Sequence, residues 1–326
     1  MAEITLIAAI TMALARALEE DPDVVIIGED IGVNGGVFRA TNGLQARFGP
    51  ERVLDTPLAE GLIGGIAVGM AAQGMRPVAE IQFLGFVYPA MDQIVNHASR
   101  LRNRTRGRLT CPLVIRAPMG AGVHAPEHHS ESIESMFAHV PGLRVVIPSS
   151  PARAYGLMLA SIRDPDPVIF LEPTRLYRAI KQEVADDGRA APLDVCYVLR
   201  VGTDVTLVTW GAMVKETLAV AQTLAEDGVS AEVIDVATLK PLDAKTIIDS
   251  VARTGRCVIV HEAAETAGFG GEISAQLAEH GMMSLLAPIE RVTGFDTVVP
   301  LPKMEKLYMP GEARILEAAR RAVSYA

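Results

Sequence analysis

The chain has 326 residues, which is long enough for two hydrophobic cores, and its 49% hydrophobic and 21% charged residues are typical of a globular protein. A net charge of −9 argues against a nucleic-acid or anionic-membrane surface. Cys111, Cys196 and Cys257 lie far apart, so no zinc site or disulfide framework is indicated and a reducing cytoplasm is favoured. The N-terminus has no basic segment typical of a signal peptide, and the longest uncharged run, 61–75, is too short and glycine-rich to span a bilayer, so we expect a soluble cytoplasmic protein.

The first part of the chain alternates helical and apolar strand-like segments. A helix over 4–18 ends at Asp21-Pro22 and is followed by VVIIGED, a buried strand that ends in acidic residues. A helix after Glu60, a helix from about 88 to 102 and a helix from Pro151 alternate with the strands PVAEIQF, PLVIRAP, RVVIP and PVIFLEP. Continuous apolar runs are typical of parallel strands covered on both faces, so a doubly wound α/β domain is predicted over 1–180.

The alternation stops at KQEVADDGRAAPLD, where acidic, proline and glycine residues predict a linker over 181–200. A second series then begins with the strands DVTLVTW, AEVIDV, RCVIVHE and IERVTG. Helices are predicted between them, over 214–226, 244–253 and after Gly271, and a last helix from Glu312. This pattern predicts a second doubly wound α/β domain over 201–326.

One carboxylate, Glu60, stands at the start of an apolar, glycine-rich segment in DTPLAEGLIGG. An acid in the first turn of a helix is stabilised by the helix dipole and the free backbone N–H groups, and this role alone could explain it. The alternative is functional, because a carboxylate beside a glycine-permitted close approach could hydrogen-bond a ring nitrogen of a flat ligand.

Three histidines lie close together in HAPEHHSES, at His124, His128 and His129. Pro126 prevents a regular helix that would place His124 and His128 one turn apart, which argues against a metal site. The preceding GAGV predicts a loop, from which a histidine could donate a proton to a small substrate. Solvated loop histidines without a catalytic role are the alternative.

A third motif, GFGGEI at 268–273, is similar to a dinucleotide-binding fingerprint, which would make the chain a nicotinamide oxidoreductase. Ile273 stands where the third glycine belongs, and no apolar strand leads directly into the motif. A tight turn before a helix is therefore the favoured interpretation.

Several segments in one order, spread over the whole chain, resemble the beta subunit of the decarboxylating first component of 2-oxo acid dehydrogenase complexes. They are IIGEDIG, GGVFRAT, FGPERVLDTPLAEGLIGGIAVGMA, RPVAEIQFLGFVYPAMDQI, HSES followed by PGLRVVIPSSP, IRDPDPVIFLEPTRLYR and VTGFDT. This family belongs to the transketolase-like, thiamine-diphosphate-dependent enzymes. The resemblance implies a transketolase-like pyrimidine-binding domain followed by a transketolase C-terminal-like domain. GVHAPEHHSES is most similar to pyruvate-type subunits, while GFDT and KLYMP are also similar to branched-chain ones.

The resemblance implies roles for five residues at the cofactor. Glu60 matches the glutamate that hydrogen-bonds the aminopyrimidine ring of thiamine diphosphate and promotes its imino tautomer. Glu29 matches a nearby carboxylate of the family. Leu58, Gln82 and Phe86 match positions that line the pyrimidine pocket, and Phe86 replaces the tyrosine of some relatives, so ring stacking is expected without a hydroxyl contact.

Two further sites are implied by the same resemblance. His129 matches a histidine proposed to act in reductive acylation of the lipoyl group. A potassium ion held through backbone carbonyls in some relatives would lie at Leu113, Ser161, Ile162, Asp164 and Asp166.

The family usually holds the magnesium ion of the cofactor with a GDG motif, and this chain contains no GDG. The resemblance therefore implies that an alpha subunit supplies magnesium and the diphosphate half of each site in an alpha-two beta-two heterotetramer. The dihydrolipoyl acyltransferase, through its subunit-binding domain, is the implied second partner. Pyruvate is the favoured substrate, a branched-chain 2-oxo acid dehydrogenase or acetoin dehydrogenase subunit is the alternative, and a non-catalytic assembly subunit is a remote one.

Overall fold

The computed structural model describes residues 3–325. The chain forms two compact units. The first contains the residues up to Met119 and Met136–Leu193, and the second contains Gly120–Ser135 and the residues from Asp194 onward. The segment Gly120–Ser135, which carries the three neighbouring histidines, therefore belongs to the second unit although it interrupts the first in sequence.

Six parallel strands of the first unit lie side by side in the order β6-β7-β5-β4-β2-β3. They are β2 (Val24–Gly28), β3 (Val53–Asp55), β4 (Arg76–Glu80), β5 (Val114–Met119), β6 (Arg144–Val146) and β7 (Val168–Pro173). Every residue of β2, β5 and β7 is buried, as the continuous apolar runs predicted. A separate short pair, β1 (Glu3–Thr5) and β8 (Lys181–Glu183), is antiparallel.

The helices of this unit begin where local sequence favours a start. In α1 (Leu6–Glu20) the Thr5 hydroxyl accepts a hydrogen bond from the backbone N–H of Ala8 at 3.4 Å. In α6 (Pro151–Arg163) Ser150 caps the first turn and proline occupies the first helical position. The other helices are α2 (Leu44–Phe48), α3 (Glu60–Ala72), α4 (Leu101–Arg104) and α5 (Glu134–Ala138), which begins within Gly120–Ser135.

The predicted helix from about 88 to 102 is confirmed in extent, because residues 88–104 are helical throughout, but its winding changes along the segment. The segment is divided into a 3₁₀ turn at Tyr88–Ala90, a π-helical turn at Gln93–His97, another 3₁₀ turn at Ala98–Arg100 and then α4. Pro89 has no N–H to donate to a preceding turn, and the Ser99 hydroxyl donates to the Val95 carbonyl at 2.7 Å. Sequence periodicity registers the apolar face of such a segment and not the change in its winding.

The second unit contains a five-stranded sheet in the order β14-β13-β10-β11-β9, in which β9 is the antiparallel edge. Its strands are β9 (Tyr197–Arg200), β10 (Val205–Thr209), β11 (Ala231–Asp235), β13 (Cys257–Ala264) and β14 (Glu290–Gly294), and β12 (Thr238–Lys240) is a further short strand. The helices are α7 (Met213–Glu226), α8 (Ala244–Thr254), α9 (Gly270–His280), α10 (Pro302–Tyr308) and α11 (Glu312–Ser324). The prediction of two α/β units is confirmed, whereas the division into 1–180, 181–200 and 201–326 stays a prediction.

Burial of one helical face fixes α11 on its sheet. Ile315, Ala318, Ala319 and Ala322 recur at the spacing of a single helical face and are all buried in the core of the second unit. Within residues 3–325, no helix has both the length and the apolar character required to cross a bilayer.

Candidate active site

The predicted pyrimidine-binding residues follow the carboxyl ends of three adjacent parallel strands. The central strand β2 ends at Gly28, which lies opposite Asp55 of β3 on one side and Glu80 of β4 on the other. Directly after the ends of β2 and β3 come Glu29 and the segment 56–60. Gln82 follows the end of β4 after one intervening residue. In open α/β sheets this edge is where ligands bind, because loops and helix N-termini converge there.

Two hydrogen bonds tie the loop after β2 to the end of β3, and the loop after β3 to the end of β2. The Gly32 N–H donates to Asp55 Oδ1 at 2.7 Å, and the Thr56 N–H donates to the Gly28 carbonyl at 2.9 Å. The buried Thr56 hydroxyl oxygen has no hydrogen-bond partner among the described residues. Because buried hydroxyls are normally hydrogen-bonded, the Thr56 hydroxyl has unused capacity to donate or accept a hydrogen bond at this strand end.

Glu60 is the first residue of α3 and is half-buried. The N-cap residue, Ala59, has no side chain that can cap the helix. Glu60 is the acidic residue of the first turn, where a carboxylate interacts favourably with the helix dipole. Burial raises the pKa of Glu29, and the neighbouring carboxylates of Asp30 and Glu60 raise it further. The structure therefore brings Glu29 and Glu60 into one electrostatic environment, where like charges favour retention of a proton by Glu29.

The glycines after Glu60 permit close packing of α3. A Cβ atom at Gly61 would lie 3.1 Å from the Pro89 carbonyl oxygen, and one at Gly64 would lie 3.2 Å from the Cβ atom of Gln93. These contacts fix the start of α3 against the backbone of the 3₁₀ turn that follows Phe86. The glycine-permitted close approach expected beside Glu60 is therefore present at the start of α3.

The three other predicted pyrimidine-pocket residues lie along the same edge. Leu58 is 72% exposed, a large apolar side chain left in solvent two residues before Glu60. Gln82 and Phe86 are half-buried. Phe86 packs edge-on against Phe83, with ring centroids 5.7 Å apart, and this aromatic contact holds the segment after β4 in place.

A buried charge network that the sequence analysis missed lies within β4, β5 and β7. Arg116 donates from Nε and Nη2 to the two carboxylate oxygens of Glu172, each at 2.6 Å, and from Nη1 to Glu80. The Tyr177 hydroxyl donates to Glu172 Oε2 at 2.6 Å. The signal was present in the sequence, because PVAEIQF, PLVIRAP and PVIFLEP are mainly apolar and each contains one charged residue.

The charges of this network depend on one another. Burial opposes the charge of Arg116, but the carboxylates of Glu172 and Glu80 outweigh it and raise the pKa of the guanidinium. Burial raises the pKa of the Glu80 carboxyl, against the effect of Arg116. Burial, followed by the Glu172 charge, raises the pKa of the Tyr177 hydroxyl. The network holds the strand that leads to Gln82.

The histidine motif forms part of a loop in the second unit. His128 is exposed, and His129 is half-buried at the end of a 3₁₀ turn, Glu127–His129. His124 lies 3.2 Å from a carboxylate oxygen of Glu305 through its Nδ1 atom. In the part of the chain that the structure describes, no group of three or more histidine, cysteine, aspartate or glutamate side chains is arranged to hold a metal ion.

The five predicted potassium-site residues are already engaged in other contacts. The Leu113 carbonyl oxygen accepts a hydrogen bond from the Val168 N–H at 2.8 Å. The Ile162 carbonyl oxygen accepts one from the Arg76 side chain at 3.0 Å. The Ser161 carbonyl accepts a hydrogen bond from the Asp164 N–H at 3.3 Å. Asp164 pairs with Arg144 at 3.0 Å, and Asp166 pairs with Arg102 at 2.7 Å. A cation there would depend on the second lone pairs of the carbonyls.

The GFGGEI motif is confirmed as a tight turn before a helix, because α9 begins at Gly270. Cβ atoms at Gly268 and Gly270 would lie 2.6 and 2.7 Å from the ring of buried His261. The glycines are therefore explained by close packing on an imidazole, with no need for a bound dinucleotide.

Comparison with known families agrees with this architecture. The model "Transketolase, pyrimidine binding domain" matches residues 2–180, and "Transketolase, C-terminal domain" matches 195–315. A solved structure described as "Split gene transketolase, inactive beta4 tetramer" is 24% identical, covers 99% of each chain and superposes with a TM-score of 0.81. The fold is thus transketolase-like, with the pyrimidine-binding and C-terminal domains in one chain.

Curated relatives narrow the assignment. "Pyruvate dehydrogenase E1 component subunit beta" of Bacillus subtilis is 49% identical over 325 residues, and proteins of the same name from Staphylococcus epidermidis and Staphylococcus aureus are 47% identical. Each match covers 100% of both chains. The chain belongs to the pyruvate dehydrogenase E1 beta-subunit family, which confirms the resemblance stated from the sequence.

Proposed function

We propose that this chain is the beta subunit of a 2-oxo acid dehydrogenase that, with an alpha subunit and thiamine diphosphate, decarboxylates pyruvate oxidatively. The observation that carries the proposal is the pairing of Glu29 and Glu60 at the carboxyl ends of adjacent parallel strands, in a chain related along its whole length to subunits of that name. The alternative substrates are branched-chain 2-oxo acids and acetoin.

The strand-end site fits an aminopyrimidine ring. It offers a half-buried carboxylate at Glu60, an unpartnered buried hydroxyl at Thr56 and an exposed apolar side chain at Leu58. The cofactor supplies the electron sink that allows carbon dioxide to leave the oxo acid. Glu60 would hold a proton against a ring nitrogen, and Glu29, whose pKa is raised by burial and by its neighbours, would keep a second proton close by.

Leu58, Gln82 and Phe86 would bind and orient the ring. Leu58 and Phe86 offer apolar surface for its faces, and the Gln82 amide offers a donor and an acceptor for its polar edge. Orientation matters because a carboxylate transfers a proton efficiently only at hydrogen-bond distance from the receiving atom.

His129 would act in the second half of the reaction, the transfer of the acyl group to the lipoyl group of the acyltransferase. A protonated imidazole can act as a general acid and donate a proton to the sulfur released when the lipoyl disulfide opens. The chain would bind the subunit-binding domain of that acyltransferase.

The missing GDG motif supports a shared site. The alpha subunit would hold magnesium and the diphosphate, and the two kinds of chain would form an alpha-two beta-two heterotetramer in the cytoplasm. A potassium ion would bind the carbonyl oxygens near Leu113, Ser161 and Ile162, with Asp164 and Asp166 alongside. Replacement of potassium by sodium should then lower the thermal midpoint of the assembled enzyme, and identical midpoints would contradict this site.

Glu60→Gln tests the cofactor role. In enzyme reconstituted with the alpha subunit, thiamine diphosphate and magnesium, pyruvate decarboxylation should fall by about 10²- to 10⁴-fold, the usual contribution of a positioned acid or base. The control is Glu51→Gln, an exposed acid of the same unit. Unchanged circular dichroism would show that the fold is intact, and full activity of Glu60→Gln would refute the proposal. Rates with pyruvate and with branched 2-oxo acids identify the substrate.

A further inference from the structure

The loop that carries His129 is closed on itself within the second unit. The Gly120 N–H donates to the Glu131 carbonyl at 2.9 Å, so the two ends of the stretch 120–131 meet. Compact surface loops with adjacent ends are frequently functional. Between these ends only the 3₁₀ turn Glu127–His129 is regular, and the loop needs other contacts to keep a defined shape.

Two buried glutamates from distant parts of the second unit supply such contacts. Glu262 of β13 accepts a hydrogen bond from the Ala121 N–H. Glu305 of α10 accepts hydrogen bonds from the N–H groups of Gly122, at 2.6 Å, and His124, at 3.3 Å. Both glutamates are buried, so their bonds to the loop are shielded from water. Hydrogen bonds to carboxylates are among the stronger ones in proteins.

The first residue of the loop is fitted to Glu262. Gly120 has φ +90°, and a Cβ atom there would lie 2.7 Å from Glu262 Oε1. Any side chain at this position would therefore strain the backbone and displace the carboxylate.

The segment is fixed again just after the loop. The Trp210 indole N–H donates to Glu134 Oε1 at 3.2 Å, and Trp210 stacks on His261 with ring centroids 5.1 Å apart. Glu134 is fully buried, and burial raises the pKa of its carboxyl. Side chains of β13, α10 and the residue that follows β10 thus hold both ends of the segment that contains His129.

We propose that Glu262 and Glu305 are positioning residues that hold the loop and so set the placement of His129 for acyl transfer. This inference rests on the proposed function of His129 and extends it, because it gives the C-terminal α/β unit a part in the reaction in addition to assembly. The physical reason is that displacement of a reacting group by about 1 Å costs about 10²-fold in rate.

Glu305→Met tests the inference, because methionine has a similar length and no oxygen to accept the two N–H groups. In the reconstituted enzyme, hydrogen exchange of the amides at 121–124 should accelerate by about 10- to 100-fold, the effect of losing a hydrogen bond to a charged group. Acyl transfer to a lipoyl domain should fall by about 10- to 100-fold. Decarboxylation followed with an artificial electron acceptor should stay within about twofold of the parent enzyme.

Glu305→Gln keeps one acceptor oxygen, so its amide exchange and its acyl-transfer rate should lie between those of the parent enzyme and Glu305→Met. This variant replaces Glu305→Met in the test if the methionine variant folds poorly. Glu279→Met, an exposed glutamate of α9, is the matched control and should change neither exchange nor transfer. Unchanged amide exchange in Glu305→Met would overturn the inference.

His129→Ala separates the inference from the function on which it rests. If His129→Ala loses acyl transfer while Glu305→Met keeps it, the positioning role alone is refuted. If His129→Ala transfers acyl groups normally, the proposed role of His129 is refuted, and the positioning role falls with it.

Discussion

Replacement of Arg116 by methionine should strongly destabilise the first unit. Arg116 makes two bonds of 2.6 Å to Glu172 and one to Glu80, and the three side chains are at most 5% exposed. Removing one partner of such a buried group leaves uncompensated charge and costs about 3–5 kcal/mol. For a unit of this size, about 2–4 °C of thermal midpoint is lost per kcal/mol, so the midpoint should fall by about 6–20 °C.

The assay is thermal unfolding of the purified chain followed by circular dichroism. Arg163→Met is the matched control, because Arg163 pairs with Glu20 at 2.8 Å where both side chains are more than 40% exposed, and such a pair contributes about 0–1 kcal/mol. A loss for Arg116→Met no larger than that of Arg163→Met would refute the reasoning. Neutralising Glu80 and Glu172 as glutamines in the same variant should restore part of the loss.

The pH dependence of that loss gives a second check on its electrostatic origin. Burial raises the pKa of Glu80, so the folded state favours the protonated form and is disfavoured relative to the unfolded state as the pH rises through the raised pKa. Without Arg116 this effect grows, since the cation that opposed it is gone. The difference between Arg116→Met and the parent protein should therefore shrink as the pH is lowered from neutral and Glu80 becomes protonated.

Two further predictions concern the capping of α8 and the cysteines. The Asp243 carboxylate accepts hydrogen bonds from the N–H groups of Thr246, at 3.2 Å, and Cys196, at 3.0 Å. Asp243→Ala should therefore lower the free energy of unfolding by about 1 kcal/mol, and Asp243→Asn should lower it much less. Thermal unfolding at neutral pH checks this prediction, and equal midpoints for the two variants would contradict it. Burial raises the pKa of Cys111 and of Cys257 to about 12. Both thiols should therefore resist iodoacetamide in the native chain at about pH 8 and react only after denaturation. Mass spectrometry measures the labelling, and rapid labelling of the native chain would contradict the prediction.

Sequence patterns predicted the fold well wherever apolar runs were long and bounded by turn residues. The predicted strands VVIIGED and PVIFLEP contain β2 and β7, which are fully buried as expected of central parallel strands. The short elements β3 and α10 were missed, because three to seven residues do not complete enough periods to distinguish a helix or a strand from a loop.

The candidate site was predictable only in part. Glu60 was conspicuous as a single charge ahead of a glycine-rich helix, and its neighbour Glu29 was found through family resemblance. Glu262 and Glu305 gave no local signal, because their partners lie 141 and 183 residues away in the chain and nothing near them in sequence indicates the contact. Every residue except proline has a backbone N–H, so the sequence does not show which N–H groups will donate to a distant glutamate.

The same separations bear on the order in which the protein folds. During synthesis the segment Gly120–Ser135 leaves the ribosome long before β13 and α10 exist, so the amides of Ala121 and Gly122 must remain bonded to water until the last quarter of the chain arrives. Closing contacts over such distances is entropically costly and slow, and it comes late in folding. The loop that carries His129 therefore acquires its shape only after nearly the whole polypeptide has been made.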